Sequence, residues 1–232
     1  MKVSAVVPAA GIGSRMGMER DKPYIILGDK PVLAHTLIAL NTSSLIDEII
    51  LIVRPRYIKY CNDEIVKHYG LKKIKDIVQG GKTRALSVYN GLKKVSCGSD
   101  LVLIHDGVRP FIRLEIISRV IDEASKFGAA VVAVPERSTV KEVLKGGVVH
   151  STLKREFLWE VQTPQVFKRE LIISAYDRAK GSGIEATDDS SLVEALGHKV
   201  KVVMGSYDNI KITTQEDLVI AQAILRQLCD LV

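Results

Sequence analysis

The chain has 232 residues, a net charge of +6, 47% hydrophobic residues and 26% charged residues. That length suits one large α/β domain or two small ones with a sizeable core, and no apolar run approaches the roughly 20 residues of a membrane span. The cations are scattered and aromatic residues make up only 5%, so the charge points to anionic small molecules rather than to a nucleic acid.

The first predicted element is an apolar strand at 3–7, entered without a basic-then-apolar leader. It runs into Pro8-Ala9-Ala10-Gly11-Ile12-Gly13-Ser14-Arg15-Met16-Gly17, with Lys22 beyond. Small residues let backbone N–H groups approach an anion closely, and Arg15 and Lys22 supply neutralising charge, so the loop reads as a phosphate cradle. Two common phosphate loops are excluded. The dinucleotide fingerprint needs a third glycine where Met16 stands, and an acidic residue where the second strand ends in Val53-Arg54. The Gly-Lys-Thr at Gly81-Lys82-Thr83 lacks the upstream glycine of a Walker loop, because Asp76 occupies that place.

Further strands are predicted at 49–53, 74–78, 101–104 and 129–134, with helices between them at 32–40, 57–69, 83–95 and 114–127. Near-continuous apolar strands alternating with helices predict an α/β fold with a mostly parallel sheet covered on both faces. Ligands in such sheets sit beyond the carboxyl ends of the strands, so the first loop, the Gly80-Gly81 turn and His105-Asp106-Gly107 should line one crevice. The runs 139–144 and 148–153 flank Lys145-Gly146-Gly147, a hairpin signal. Such a hairpin has little core of its own and predicts packing on a second copy of the chain. Helices at 169–180 and 188–196, a strand at 200–204, and a last helix from Thr213 with Glu216 as a capping box complete the pattern. There is no internal repeat or linker, so residues 1–232 read as one domain, with the arm at approximately 137–158. Cys61, Cys97 and Cys229 are odd in number and lack metal spacing, which predicts reduced, mostly buried thiols in a cytoplasmic protein.

In His105-Asp106-Gly107-Val108-Arg109-Pro110, a strand-end carboxylate is placed to help hold Mg2+ on nucleotide phosphates, and Arg109 can grip a phosphate. The plain alternative is a surface ion pair in a turn. Gln79-Gly80-Gly81-Lys82-Thr83-Arg84 leads to Ser87, whose hydroxyl can read a base edge. Its plain alternative is a glycine turn with a helix cap. Thr187-Asp188-Asp189 also reads as a helix cap, Asp208-Asn209-Ile210-Lys211 as a polar loop, and His35, His68, His150 and His198 as isolated residues. Several cations and one good carboxylate, without a general base or nucleophile, suit attack by a phosphate monoester on another phosphorus. That chemistry needs alignment, a metal and charge neutralisation.

Taken in order, these motifs resemble those of the 2-C-methyl-D-erythritol 4-phosphate cytidylyltransferase family of non-mevalonate isoprenoid synthesis. The resemblance covers essentially the whole chain. It rests on the 8–16 loop with Lys22, on Gly80-Gly81-x-x-Arg84-x-x-Ser87 and on His105-Asp106-x-x-Arg109-Pro110. Leu158-Trp159-x-x-x-Thr163-Pro164-Gln165, Thr187-Asp188-Asp189 and Asp208-Asn209-Ile210-Lys211-Ile212-Thr213 continue it. It implies a Rossmann-like three-layer nucleotidyltransferase domain that dimerises through a protruding β-hairpin arm. It also implies Mg2+, with CTP and a methylerythritol phosphate as substrates and CDP-methylerythritol and pyrophosphate as products. By this resemblance Arg15, Lys22 and Lys211 are catalytic, and Ala9, Ala10, Gly11, Gly13, Gly81, Ser87 and Asp106 surround the nucleotide, with Asp106 by the metal. Gly107, Arg109, Thr163, Thr187 and Lys211 approach the sugar phosphate, and Thr139 and Arg155 reach into the partner subunit's site.

The chain departs from the family pattern in places. Asp21-Lys22-Pro23 stands where Pro-Lys-Gln is usual, so Asp21 is expected to be able to pair with Lys22, and Pro23 removes a backbone donor. Gly107-Val108 replaces a frequent Ala-Ala, and Lys82 a commonly acidic residue. The competing readings are a ribitol 5-phosphate cytidylyltransferase, whose opening more often runs Leu-Ala-Gly-Gly, and a non-catalytic nucleotide-binding module.

Overall fold

A computed structural model describes residues 1–11, 21–182 and 188–229. Seven strands form one sheet in the order β11-β7-β10-β6-β1-β4-β5. They are β1 (Val3–Pro8), β4 (Glu48–Val53), β5 (Ile74–Gln79), β6 (Leu101–Ile104), β7 (Ala129–Pro135), β10 (Trp159–Lys168) and β11 (Lys201–Met204). All pairings are parallel except those of β10 with β6 and with β7. Two small hairpins lie apart from it: β2 (Ile26–Leu27) with β3 (Lys30–Pro31), and β8 (Lys141–Val143) with β9 (Val149–Thr152).

The apolar runs become central strands because each buries alternate residues on opposite faces. Ala5, Val7, Ile49, Leu51 and Val53 face one core, together with α1 (Val32–Thr42) and α4 (Leu114–Phe127). That core also takes Cys61 and Ile65, from α2 (Ile58–Tyr60) and its π-helical continuation over Cys61–Lys67. Val6, Ile50, Ile52, Val102 and Ile104 face the other core. Their partners there are α3 (Arg84–Leu92), α5 (Arg169–Ser182) and α6 (Asp189–Glu194). The result is a three-layer α/β sandwich. Gly91 lets α3 lie close on the sheet, since a Cβ there would stand 2.7 Å from Ile52 Cδ1 and 2.8 Å from Val6 Cγ1. A third, smaller core joins Leu27 and Phe111 to Ala221 of α7 (Gln215–Cys229).

Several expectations need correction. The long strand β10 and the small β2–β3 hairpin were not anticipated. The cap of α7 is set one residue later than the sequence suggested. Asp217 Oδ2, rather than Glu216, accepts from the N–H groups of Thr213 (2.7 Å) and Thr214 (2.9 Å). The reciprocal bond runs from Asp217 N to Thr214 Oγ1. Cys61 is buried as expected, but Cys97 is exposed.

Candidate active site

From β1 the chain moves outward to β4 and β5, then returns to β6 on the other side of β1, so β1 and β6 form the switch point of the sheet. Loops diverge there and leave a crevice at the carboxyl ends of the strands. A cavity of about 510 Å³ fills it, lined by Pro8 to Gly11 after β1, Arg54 after β4, Gly80 to Thr83 after β5, and Asp106 after β6. Lys22, Arg84, Ser87, Lys211 and Thr213 also line it. The volume suits a nucleotide-sized ligand.

The turn after β5 is built by close approach. A Cβ at Gly80 would stand 2.3 Å from Ala10 Cβ, and one at Gly81 2.5 Å from Leu86 Cβ. Thr83 caps α3 by accepting from Leu86 N at 3.1 Å. Ser87 Oγ accepts from Gly81 N at 3.0 Å and donates to the Thr83 carbonyl at 2.9 Å. The serine hydroxyl therefore braces the turn on the cavity wall, and the capped-turn reading of this motif describes its local structure.

Asp106 is the centre of charge. Its Oδ1 accepts from Arg84 Nε at 3.1 Å, its Oδ2 lies 2.8 Å from Lys211 Nζ, and Arg109 Nε stands 3.9 Å away. Burial pushes this carboxyl up, but the charges of Arg84, Lys211 and Arg109 outweigh it and hold the group well below the usual carboxylate range. Arg84 also clamps the fully buried Asp189 with two bonds, at 3.0 and 2.7 Å. Tyr176 Oη donates to the same carboxylate. Burial opposes the Arg84 charge, yet Asp189 and Asp106 raise its pKa further. Arg84, Asp106, Asp189 and Lys211 thus form one chain of contacts from core to cavity.

His105 is structural. Asp106 N donates to Thr163 Oγ1 at 3.0 Å, and that hydroxyl lies 3.0 Å from His105 Nδ1. His105 Nε2 lies 3.1 Å from the Arg109 carbonyl, so the network assigns the Nε2–H tautomer, with Thr163 donating to Nδ1. Burial pulls this imidazole down to about 4, leaving it neutral near pH 7. Asn209 accepts from Arg109 Nη1 at its carbonyl (2.6 Å) and donates its own amide to the Thr163 carbonyl at 2.8 Å. These bonds tie the β6, β10 and 208–211 segments together and fix Arg109. The guanidinium Nε of Arg109 is buried without a hydrogen-bond partner. A second cavity of about 360 Å³ adjoins the first, lined by Arg109, Glu160, Gln162 and Tyr207, and the two share Lys211 and Thr213.

A family model for IspD, 2-C-methyl-D-erythritol 4-phosphate cytidylyltransferase, matches residues 3–227. The chain belongs to this family. A 2-C-methyl-D-erythritol 4-phosphate cytidylyltransferase of Desulforamulus reducens is 51% identical over 225 residues, covering 97% of this chain and 96% of its own. One from Alkaliphilus metalliredigens is 48% identical, covering 97% and 94%. Among solved structures, 4-diphosphocytidyl-2C-methyl-D-erythritol synthase from Anaerococcus prevotii superposes with a TM-score of 0.86 at 39% identity, covering 97% of this chain and 96% of its own. The Thermus thermophilus cytidylyltransferase follows with a TM-score of 0.80, 33% identity, and coverage of 97% and 100%.

Of the residues singled out on the family resemblance, Ala9, Ala10, Gly11, Lys22, Gly81, Ser87, Asp106 and Lys211 line the first cavity, and Arg109 and Lys211 the second. Gly107 stands behind the wall, where a Cβ would come within 3.0 Å of Ala9 Cβ and Leu33 Cδ1. Thr163 is likewise behind it, holding Asp106. Thr139 and Arg155 are exposed on or beside the arm and line neither cavity. Gly13, Arg15 and Thr187 lie outside the described residues. Sequence reasoning quoted Arg84 in a motif without giving it a role. It missed Arg54, Glu160, Gln162 and Thr213 on the cavity walls and gave Tyr176 and Asp189 no part in the site. The Arg84 spacing was a usable signal, while Arg54 offered none.

Proposed function

We propose that this protein transfers the cytidylyl group of CTP to 2-C-methyl-D-erythritol 4-phosphate, giving CDP-methylerythritol and pyrophosphate. The observation that carries the reading is the pair of adjoining cavities. Two spaces, each provided with cations, meet at Lys211 beside the ionised Asp106. In the first, the backbone of Ala9, Ala10, Gly11 and Gly81 surrounds the nucleotide's base and ribose, and Lys22 neutralises the triphosphate, a role the family resemblance extends to Arg15. In the second, Arg109 and Lys211 hold the sugar phosphate, a role the family resemblance extends to Thr187. Arg109 and Lys211 give that second space its positive charge, which supports an anion there.

A phosphate monoester is anionic near neutral pH, so its oxygen attacks the α-phosphorus of CTP without a base. A new P–O–P bond forms, the bond between the α-phosphorus and the α,β-bridging oxygen breaks, and pyrophosphate leaves with the electron pair. Lys211 contacts the incoming phosphate, while Lys22 stabilises charge on the pentacoordinate phosphorus. No general base is required, in keeping with a His105 kept neutral and occupied by structural bonds.

The donor set fits a magnesium ion carried mainly by the substrate. Among the described residues no group of three or more metal-ligating side chains occurs, and Asp106 is the one carboxylate lining the first cavity. Magnesium is commonly held by one or two carboxylates plus substrate phosphates, so Asp106 is the residue that would hold it. When bound, the ion adds positive charge against phosphate oxygens.

The reading includes a homodimer in which Thr139 and Arg155 of each arm complete the partner's second cavity, within a single domain with the arm at approximately 137–158. It also includes a cytoplasmic location. No helix of the described residues is long and apolar enough to cross a membrane, and Cys61 and Cys97 are free thiols. Pyrophosphate release with Mg2+ tests the reaction, crossing CTP, UTP and ATP with methylerythritol, ribitol and glucose phosphates. Turnover is expected for CTP with the methylerythritol ester. Turnover with ribitol 5-phosphate alone would overturn the substrate, and none with any pair would favour a binding module.

A further inference from the structure

The phosphate ester of a sugar alcohol makes two demands on its pocket. The phosphate needs cations, and the free hydroxyls need hydrogen-bond acceptors. In the second cavity Arg109 and Lys211 meet the first demand. The other polar side chains on its wall are largely engaged with the protein itself. Gln162 donates from Nε2 to the Ser206 carbonyl at 2.9 Å and accepts from Asn209 Nδ2 at 3.1 Å. Tyr207 Oη donates to the Pro135 carbonyl at 2.7 Å, and the Arg137 guanidinium covers its ring at 3.2 Å. Asp217 Oδ2 accepts from Thr213 and Thr214, just ahead of α7.

Glu160 differs from these. It stands two residues before Gln162 on β10, so both side chains leave the strand on one face, and both line the cavity. Among the described residues its carboxylate has neither a hydrogen bond nor an ion pair. Its charge still reaches Arg109. Burial lowers the pKa of that guanidinium, while Asp106 and then Glu160 oppose the shift. Asp106 is the nearer counter-charge, 3.9 Å from Arg109 Nε. A carboxylate left open in a phosphate-binding cavity repels the phosphate, and its oxygens only accept. Its chemistry therefore matches the end of the ligand that carries hydroxyls.

We propose that Glu160 is a specificity-determining residue, accepting hydrogen bonds from the C1 and C2 hydroxyls of the polyol while Arg109 and Lys211 hold the phosphate on C4. Those hydroxyls are the vicinal pair farthest from the phosphate, so the two oxygens of one carboxylate can meet both. The inference deepens the proposed reaction and rests on that reading of the second cavity.

Crossing the substitution with the substrate's own hydroxyls tests it. kcat/KM is measured for 2-C-methyl-D-erythritol 4-phosphate and for its 1-deoxy and 2-deoxy analogues, in the wild type, Glu160→Ala and Glu160→Gln. Glu160→Ala is expected to lower kcat/KM for the full ester about tenfold, mainly through KM, with KM for CTP within about twofold of wild type. With each analogue the same substitution is expected to cost no more than about threefold, because one hydrogen bond is already gone. Glu160→Gln keeps an accepting oxygen and is expected to recover part of the loss.

A loss of equal size with all three esters means that Glu160 acts through folding or through the charge on Arg109, and overturns the proposal. Wild-type kinetics in Glu160→Ala overturns it as well. Should Glu160→Ala unfold by circular dichroism, Glu160→Gln carries the same comparison, and the loss must again be smaller with the analogues. A wild-type enzyme that does not turn over the full ester removes the proposed reaction and the inference with it. Turnover by the wild type beside a uniform loss in the variants overturns the inference alone.

Discussion

Arg84 joins the site to the core. It bonds the cavity carboxylate of Asp106 through Nε and the fully buried carboxylate of Asp189 through both terminal nitrogens. Removing the guanidinium leaves a buried carboxylate without its main counter-charge, a loss typically of about 3–5 kcal/mol for a broken buried pair. Arg84→Ala is therefore expected to destabilise the fold by about 3 kcal/mol and to lower turnover at least about tenfold. Arg84→Lys, lacking the planar fork, should fall between the two. Urea unfolding and pyrophosphate release read the two effects separately. The sequence displayed Arg84 and Asp106 in motifs, but their union was illegible, because the bidentate partner Asp189 is 105 residues away and was read only as part of a helix start. Asp21 shows the same gap. Its neighbour Lys22 was visible as a candidate partner, whereas Arg54 and Arg56 reach it only through the fold.

At the scale of elements, the amino ends of the strands are tied by a second charge knot, remote from the cavity. Glu48, at the start of β4, accepts from Ser4 Oγ of β1 at 2.8 Å and from Ser96 N at 2.9 Å, with Lys2 at 3.2 Å and Lys75 at 3.4 Å. Burial pushes this carboxyl up, but the hydrogen bonds from Ser96, Ser4 and Lys2 prevail and bring it down to about 2. A pKa depressed on folding gives stability that is present above the unfolded value near 4.5 and lost as pH falls towards 2. Glu48→Gln is expected to cost on the order of 2 kcal/mol at pH 7 and to flatten the acid limb between those two values, measured by urea unfolding at stepped pH. The elements themselves were largely readable. The strand at 101–104 and the helix at 114–127 fall where periodicity put them, because both bury a regular set of apolar residues. β10 escaped because Glu160, Gln162, Thr163, Pro164 and Gln165 break the apolar run. Its register against β7 also shifts between Val161 and Gln165. That irregular stretch carries the side chains that hold Asp106 and Asn209, so the departure from pattern belongs to the site.

For the whole molecule, the arm poses the remaining physical problem. Residues 141–150 are exposed throughout, among them Val143, Leu144, Val148 and Val149, and Phe157 beyond the hairpin is 73% exposed. A two-stranded ribbon with uncovered apolar side chains is marginal alone, and a contiguous exposed patch calls for a partner surface. In the dimer proposed above, a second copy would meet that need and would carry Thr139 and Arg155 to a cavity lined by Arg109 and Lys211 of the first chain. In such a dimer each site draws Lys211 from one subunit and Arg155 from the other. Arg155→Ala and Lys211→Ala should each be nearly inactive alone. Mixed in equal amounts and allowed to exchange, they form mixed dimers for half the population, each with one site keeping both side chains. Activity should then recover to about a quarter of the wild-type value. Light scattering tests whether a dimer forms, and labelled subunits test exchange. With exchange demonstrated, no recovery would mean that Arg155 acts within its own chain or not at all, and the shared site would be discarded. Recovery near a quarter would place the two residues on opposite sides of one subunit boundary.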